Sequence, residues 1–337
     1  MKREYLLLDK AAIRVASNPI NVKTGDIELN SESIYISSKS LSNQLSNEKL
    51  TKSAVLSLKK YKIRSQCRTT PFGLMASTGY LNFAKKDYLE KDSNVCKKVS
   101  LDGRWVASLI NYIKQNNKAK LRVKWNNSTL NYIGSRIVNE WVPFNHEDQK
   151  RERISIENTN AVKIVEKLTT DSYISKKELI EKIYNKYNRT VEEKVIVHFL
   201  EDLEEKGFLI TDLDSMVLTT DPGKLFSELS STGYILPAKN TLCNILQLIE
   251  DYQKSDVDTL IILKRIESCL SSIVSSESYL KVECFESAKS MEKDKIETLV
   301  YPLTPYLSFA ASNYQHPQYK KILSYYMKEF GNLNRLH

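Results

Sequence analysis

The stretch 64-RSQCRTTPFG-73 constrains this chain more than any other. Upstream, from about residue 48 to 67, Leu50, Ala54, Leu58 and Tyr61 recur at three- and four-residue spacing. That period predicts a helix with those side chains as its buried stripe. Lys60, Arg64 and Arg68 recur every fourth residue and so project from one other face. The helix then has to stop: Thr70 precedes Pro71 and is pushed out of the helical region, and Gly73 gives the backbone freedom to turn. A row of cations beside threonines at a helix-to-turn junction suits a phosphate-rich partner. It equally suits a solvated basic face with an ordinary helix stop. Residues 80–83 are expected to continue the chain as a strand.

Charge is unevenly spread. Residues 1–125 hold 24 Lys and Arg against 10 Asp and Glu, a net of +14, and the remainder holds 26 against 31, a net of −5. A polyanion is therefore expected to dock on the N-terminal part. At 337 residues, 41% hydrophobic and 27% charged, the chain has the composition of a soluble globular protein of two or three domains. Its five cysteines are scattered with no CxxC pair, and its four histidines show no HExxH spacing. Neither a disulfide framework nor a metal site is expected. The apolar run at residues 5–8 is too short for a signal-peptide core and no later stretch approaches a membrane span, so a cytoplasmic location is expected.

Residues 1–40 read as strands, from the apolar run at 5–8 and the alternation of Ile27, Leu29, Ile34 and Ile36. Arg14, between Ile13 and Val15, would point away from both on a strand. Residues 85–98 read as an exposed lysine-rich loop, and the chain enters a helix over residues 99–105. Asp102 lies just before that helix or in its first turn, where capping alone would account for it. Strands are expected over residues 120–157 and a helix over 158–168. Ser175 with Glu178, and Thr190 with Glu193, read as capping boxes of two further helices, the last ending at Gly207. Strands, three short helices and a closing strand predict a winged-helix module at about residues 120–213, within a mixed α+β fold. The third helix of such a module often binds DNA, but here Glu192, Glu193, Glu201, Asp202, Glu204 and Glu205 would repel phosphate. An extended peptide added to the strand RERISIE is expected instead, with Ile154 and Ile156 on the strand and Val195 and Phe199 on the helix. Beyond it the chain runs through residues 221–223 and an apolar turn at 234–237, with 241–252 and 256–273 as helices and 279–285 as a strand. Residues 289–299 and 319–330 read as helical or near-helical.

Together these pieces resemble the N-terminal, glutamylating domain of the lantibiotic (class I lanthipeptide) dehydratases. The most specific match sets RSQCRTTPFG against that family's R-x-x-x-R-x-T-P-F-G signature. IRVASNP with Arg14, SLDGRW with Asp102, and YLKVECF at 279–285 are weaker matches; in the last, Glu283 stands where the family commonly has aspartate. The resemblance implies that the winged helix holds the leader of a precursor peptide. It would sit between a basic first part (1–119) and a continuation (214–337) of a glutamylation domain. The implied reaction moves glutamate from glutamyl-tRNA to a Ser or Thr hydroxyl of a ribosomally made peptide, before elimination in a separate domain. Carried over by position, Arg14, Arg64, Arg68, Thr70 and Asp102 would be transfer-site residues, with Lys60, Arg64 and Arg68 on the tRNA. No cofactor is implied beyond glutamyl-tRNA as co-substrate. The implied partners are glutamyl-tRNA, the leader-containing precursor, an elimination domain and a cyclase, in a cytoplasmic complex that could be peripheral to a membrane; a homodimer is also open. The chain ends short of the usual domain, so a second chain is expected to complete it. The alternatives are a non-catalytic or truncated leader-binding protein, and a relative that ligates another amino acid from aminoacyl-tRNA.

Overall fold

The computed structural model describes residues 10–47, 50–84, 95–118, 120–132, 136–139, 154–237, 239–255, 257–286 and 289–306. In chain order these form β1 (Lys10–Ala16), α1 (Ser31–Ser37), α2 (Lys39–Ser46), α3 (Lys52–Cys67), β2 (Ala76–Ala84), β3 (Val95–Leu101) and α4 (Gly103–Asn116). Then come β4 (Arg122–Trp125), β5 (Leu130–Tyr132), β6 (Arg136–Asn139), β7 (Ile154–Glu157), α5 (Asn160–Thr169), β8 (Ile174–Ser175), α6 (Lys176–Lys186), α7 (Glu193–Glu205) and β9 (Leu209–Thr211). The last are α8 (Pro222–Ser231), α9 (Lys239–Lys254), α10 (Thr259–Ile273), β10 (Leu280–Glu286), β11 (Lys289–Glu292) and α11 (Lys293–Val300). The mixed α+β class expected from the sequence is what is found. Two compact units divide the chain, one of residues 1–29, 50–97 and 283–337, the other of residues 30–49 and 98–282.

In the first unit β2 is the strand the others pair with. It runs antiparallel to β1, from Lys10 opposite Asn82 to Ala16 opposite Ala76. It is parallel to β10 at Cys284 and Phe285, and to β11 from Leu81 to Ala84. Gly79 lets β10 come close, because a Cβ there would lie 3.1 Å from the Glu286 carbonyl oxygen and 3.3 Å from its Cβ. Ser77 Oγ donates to Glu286 Oε1 at 2.7 Å on the same pair of strands. Helix α3 starts later than its periodicity predicts, because Thr51 caps it by accepting from the Ala54 amide at 3.2 Å. Leu50 therefore falls outside the helix and is 43% exposed, whereas Ala54 is buried and Leu58 and Tyr61 are half-buried. The inner stripe ends on polar residues, Ser65 and Gln66, both buried. Val55, Leu56 and Ile63 of α3 are exposed.

Several local readings are corrected. Residues 31–40, expected as strand, lie in the helices α1 and α2. Asn30 Oδ1 accepts from the Ser33 amide at 2.6 Å and Ser38 Oγ from the Leu41 amide at 3.2 Å, so side-chain caps win over apparent alternation. Residues 95–98 are not loop and 99–101 not helix: both belong to β3, and α4 starts at Gly103. Residues 221–223 open α8, since Asp221 accepts from the Lys224 amide at 2.8 Å and Pro222 occupies the first turn, where its missing N–H costs nothing. Likewise residues 289–292 are β11, in the first unit, and only Lys293–Val300 is helical. The expectations for residues 5–8, 85–94 and 319–330 lie outside the described residues.

Within residues 120–213, β4 lies between β8 and β9, and β5, β6 and β7 form a separate sheet with β7 at one edge. Val123, Trp125, Ile137, Val165, Leu179, Leu200 and Phe208 form its core. The Ser175 cap is formed, with Glu178 donating its amide to Ser175 Oγ at 3.2 Å. The Thr190 box is not: Thr190 Oγ1 donates to the Tyr187 carbonyl at 2.7 Å, and Glu192 is the residue before α7, without a side-chain cap. Outside this module, α4 buries Trp105, Val106, Leu109, Ile110 and Ile113, and the Trp105 indole donates to the Leu270 carbonyl at 3.2 Å.

Replacing Gly79 with alanine is expected to destabilise the protein by about 1–3 kcal/mol, since backbone and not a flexible tip is in the way. Gly25→Ala, where a Cβ meets nothing within 4 Å, should fall within about 0.5 kcal/mol of wild type. Urea midpoints for the two variants check the contrast.

Candidate functional site

Two residues that lie between the signature's arginines are its anchor. Ser65 and Gln66 hold α3 to the segment 18–24 almost entirely by hydrogen bonds. Ser65 Oγ donates to the Lys62 carbonyl at 2.7 Å and accepts from Asn18 Nδ2 at 3.0 Å, and the Asn18 amide donates to the Ser65 carbonyl at 2.9 Å. Gln66 Nε2 donates to the carbonyls of Pro19 at 3.0 Å and Val22 at 2.5 Å, while its oxygen accepts from Thr24 Oγ1 at 3.1 Å. Sequence reasoning gave these two residues no role. Their signal was present: they continue the inner stripe of α3 with side chains that must be paired once buried.

With the inner face fixed in this way, Lys60, Arg64 and Arg68 are presented at two different depths. Lys60 is exposed and Arg64 half-buried, and Arg68 is the exposed C-cap, its amide donating to the Arg64 carbonyl at 3.0 Å. Arg64 lies on the ring of Phe72, its Cζ 4.1 Å from the centroid. The other ring in the stack is Tyr61, 6.0 Å from Phe72 between centroids and inclined by 20°. The Arg64 Nε is buried without a hydrogen-bond partner, and among the described residues its guanidinium makes no ion pair. Gly73, at φ +55°, lets the chain reverse directly after Phe72, and the Met75 amide donates to the Phe72 carbonyl at 3.1 Å. Thr70 is exposed in this turn.

Arg14 is exposed on β1 opposite Thr78 of β2, on the strand face away from Ile13 and Val15. Arg14, Lys60, Arg64, Arg68 and Thr70 thus belong to the first unit. Asp102 belongs to the second, where Oδ1 accepts from the Arg104 amide at 2.8 Å as the cap of α4. Beside it Arg104 pairs with Glu277 at 2.5 Å. Cations of the first unit that pair with no carboxylate among the described residues, one of them partly desolvated, can bind phosphate oxygens or an oxyanion.

The residues expected to touch a peptide are all in the second unit. Ile154 and Ile156 on β7 are half-buried against the module's core, as is Phe199 of α7, whereas Val195 is 53% exposed. Among the described residues β7 pairs only with β6, which leaves its other edge open to an added strand.

Comparison with known proteins gives a consistent result. The family model described as "Lantibiotic dehydratase, N terminus" matches residues 27–303. The nisin biosynthesis protein NisB of Lactococcus lactis subsp. lactis is 23% identical over 251 residues, 73% of this chain and 24% of NisB. The epidermin biosynthesis protein EpiB of Staphylococcus epidermidis is 25% identical over 245 residues, 71% of this chain and 24% of EpiB. The chain thus spans about a quarter of the length of these curated relatives. Among solved structures, the tRNA-dependent lantibiotic dehydratase MibB from Microbispora sp. 107891 superposes with a TM-score of 0.71 at 16% identity, over 96% of this chain and 33% of MibB. The glutamylation domain TbtB from thiomuracin biosynthesis, bound to 5′-phosphodesmethylglutamycin, gives a TM-score of 0.52 at 14% identity, over 78% of this chain and 33% of TbtB. These likenesses establish the fold.

Asp102 has a cap to fill whatever else it does, and two substitutions separate the roles. Asp102→Asn keeps a capping oxygen and should leave stability within about 0.5 kcal/mol, whereas Asp102→Ala should cost about 1 kcal/mol. Thermal melts of the two variants read this difference.

Proposed function

Because the chain belongs to the family of lantibiotic dehydratase N termini, we propose that it supplies the part of a glutamylation site that receives aminoacyl-tRNA. In this reading the hydroxyl oxygen of a precursor Ser or Thr attacks the carbonyl that esterifies glutamate to the tRNA ribose. The new ester forms as the bond between that carbonyl carbon and the ribose oxygen breaks, and the proton from the hydroxyl ends on the ribose oxygen. The observation that carries the reading is the Arg64 cation, half-buried and held by Phe72 with no ion pair among the described residues. Lys60 and Arg68 on the same helix and its cap add exposed charge for acceptor-stem phosphates. Arg14 would add a further cation, Thr70 a hydroxyl donor, and Asp102 would orient a hydroxyl or a guanidinium with the oxygen not used in capping.

Residues 120–213 serve in this reading as a winged-helix module that holds the precursor's leader. The edge of β7 that pairs with no strand among the described residues supports it, as does the exposed Val195. Residues 1–119 and 214–337 form the glutamylation part. The remaining partners are a polypeptide that completes the site, an elimination domain and a cyclase, in a cytoplasmic assembly. No helix among the described residues is long and apolar enough to cross a membrane.

The test is transfer of labelled glutamate from glutamyl-tRNA to a cognate precursor, with the full chain and the complementing biosynthetic polypeptide present. Arg68→Ala should lower the rate on the order of 10²-fold and reduce the slope of log affinity for tRNA against log salt by about 1. Unchanged transfer in that variant, or none by wild type, counts against the reading. A leader peptide should bind Val195→Asp on the order of tenfold more weakly, about 1.4 kcal/mol. The melting temperature should hold, since Val195 is largely exposed; equal binding would remove α7 from the leader site.

A further inference from the structure

Phe72 stands in the signature between the turn residues Pro71 and Gly73, yet its side chain does something the turn does not require. It is half-buried with its ring against Arg64 on one contact and Tyr61 on another. A turn needs Pro71 and Gly73 for their backbone preferences, and any apolar residue between them would satisfy the backbone. The ring is therefore placed for its neighbours.

What it offers Arg64 is unusual for a cation in that position. A half-buried guanidinium is ordinarily held by a carboxylate, which aligns it and also neutralises it. Arg64 is aligned by an aromatic face instead, and among the described residues it has no ion pair. The attraction of a cation to a ring face fixes the plane of the guanidinium while its net charge survives. Its Nε is also covered and unbonded, so rotation about the last side-chain bonds is limited on that edge too. Tyr61, one turn before Arg64 on α3, backs the ring from the helix side and keeps it from swinging away.

Resting on the anion-receiving reading of Arg64 given above, we infer that Phe72, backed by Tyr61, is a positioning residue that holds the Arg64 guanidinium in one plane, un-neutralised, for an anionic oxygen of the substrate. It touches no substrate itself. Its effect is pre-organisation: the charge is in place before the ligand arrives, so less ordering is left to the binding step.

The experiment uses the full chain labelled with nitrogen-15 in arginine and inorganic pyrophosphate as the probe. The Arg64 Nε–H signal is assigned by its loss in Arg64→Lys and is expected to lie upfield, over the Phe72 ring. Pyrophosphate should move it in wild type and in Phe72→Tyr, which keeps a ring. In Phe72→Leu the upfield position should be lost and pyrophosphate affinity should fall about fivefold, and adding Arg64→Lys to it should cost little more, as for two residues acting through one contact. Tyr61→Leu, which leaves Phe72 in place, is the companion should Phe72→Leu fail to fold; it should weaken pyrophosphate binding in the same direction by a smaller factor. A signal that pyrophosphate does not move in wild type, or equal affinity in wild type and either leucine variant, overturns the inference. Titration with glutamyl-tRNA separates it from the functional reading. A chain that responds to pyrophosphate but does not bind the tRNA supports the positioning of Arg64 while refuting the assigned co-substrate.

Discussion

Arg64 on the Phe72 ring gives the basic helix a direction as well as a charge. The contact is possible only because three other things are settled first. Ser65 and Gln66 fix the rotation of α3 about its axis through hydrogen bonds to the segment 18–24. The helix ends at Cys67, so Arg68 leaves the helical path. Gly73 then reverses the chain and returns Phe72 to the helix side. Hydrogen bonds are directional where apolar contacts are not, and that is why the inner face of α3 ends on a serine and a glutamine. An apolar pair there would bury comparable area but would let the helix roll, and the arginines would lose their orientation. The R-x-x-x-R spacing is thus two instructions in one: the arginines face outward in part because the residues between them are tied inward.

The second unit uses the same device around a carboxylate. Glu32 of α1 is buried, accepting hydrogen bonds from the hydroxyls of Tyr252 in α9 and Thr259 in α10, the latter at 2.8 Å. Nearby Glu267 accepts from Tyr35 at 2.6 Å and pairs with Lys39 at 2.7 Å. Burial and the Glu267 carboxylate push the Tyr35 phenol upward. These bonds join α1 and the start of α2 to α9 and α10, helices more than 200 residues away in sequence. A buried carboxylate left without donors would be costly, so these helices can associate in few other registers.

The same logic explains which parts of the fold were legible. Long periodic segments were: α4, α6, α9 and α10 follow from their apolar spacing, and the capping of α6 by Ser175 follows from its sequence box. Elements decided by a single side-chain hydrogen bond were not. Ile34 and Ile36 alternate as a strand would, yet Asn30 and Ser38 cap two short helices over them. Thr190 fits a capping box but spends its hydroxyl on the Tyr187 carbonyl. For the site, the cations were readable from their four-residue period, and their chemistry from their type. What holds them was not, because Gln66 acts on carbonyls more than 40 residues earlier and Phe72 acts across a turn, and neither partnership leaves a period in the sequence.

Charge counting also needs its partners before it decides anything. The acidic residues of α7 suggested repulsion of phosphate, but several are already spent: Glu192 pairs with Lys194 at 2.6 Å, Asp202 with Lys206 at 2.7 Å, and Glu204 with Lys176. The lysines in those pairs are in turn no more available to phosphate than the carboxylates are to repel it. Helix α3 is the opposite case. Lys52, Lys59, Lys60, Lys62 and Arg64 share it with no acidic residue at all, so no pair can form within the helix. A polyanion is therefore drawn to α3 by charge that nothing on the helix offsets. A peptide at β7 would instead be held by main-chain pairing and apolar contact, forces that salt hardly screens. The two ligands proposed for this chain would then respond to ionic strength in different ways, because the residues meeting them differ in what already neutralises them.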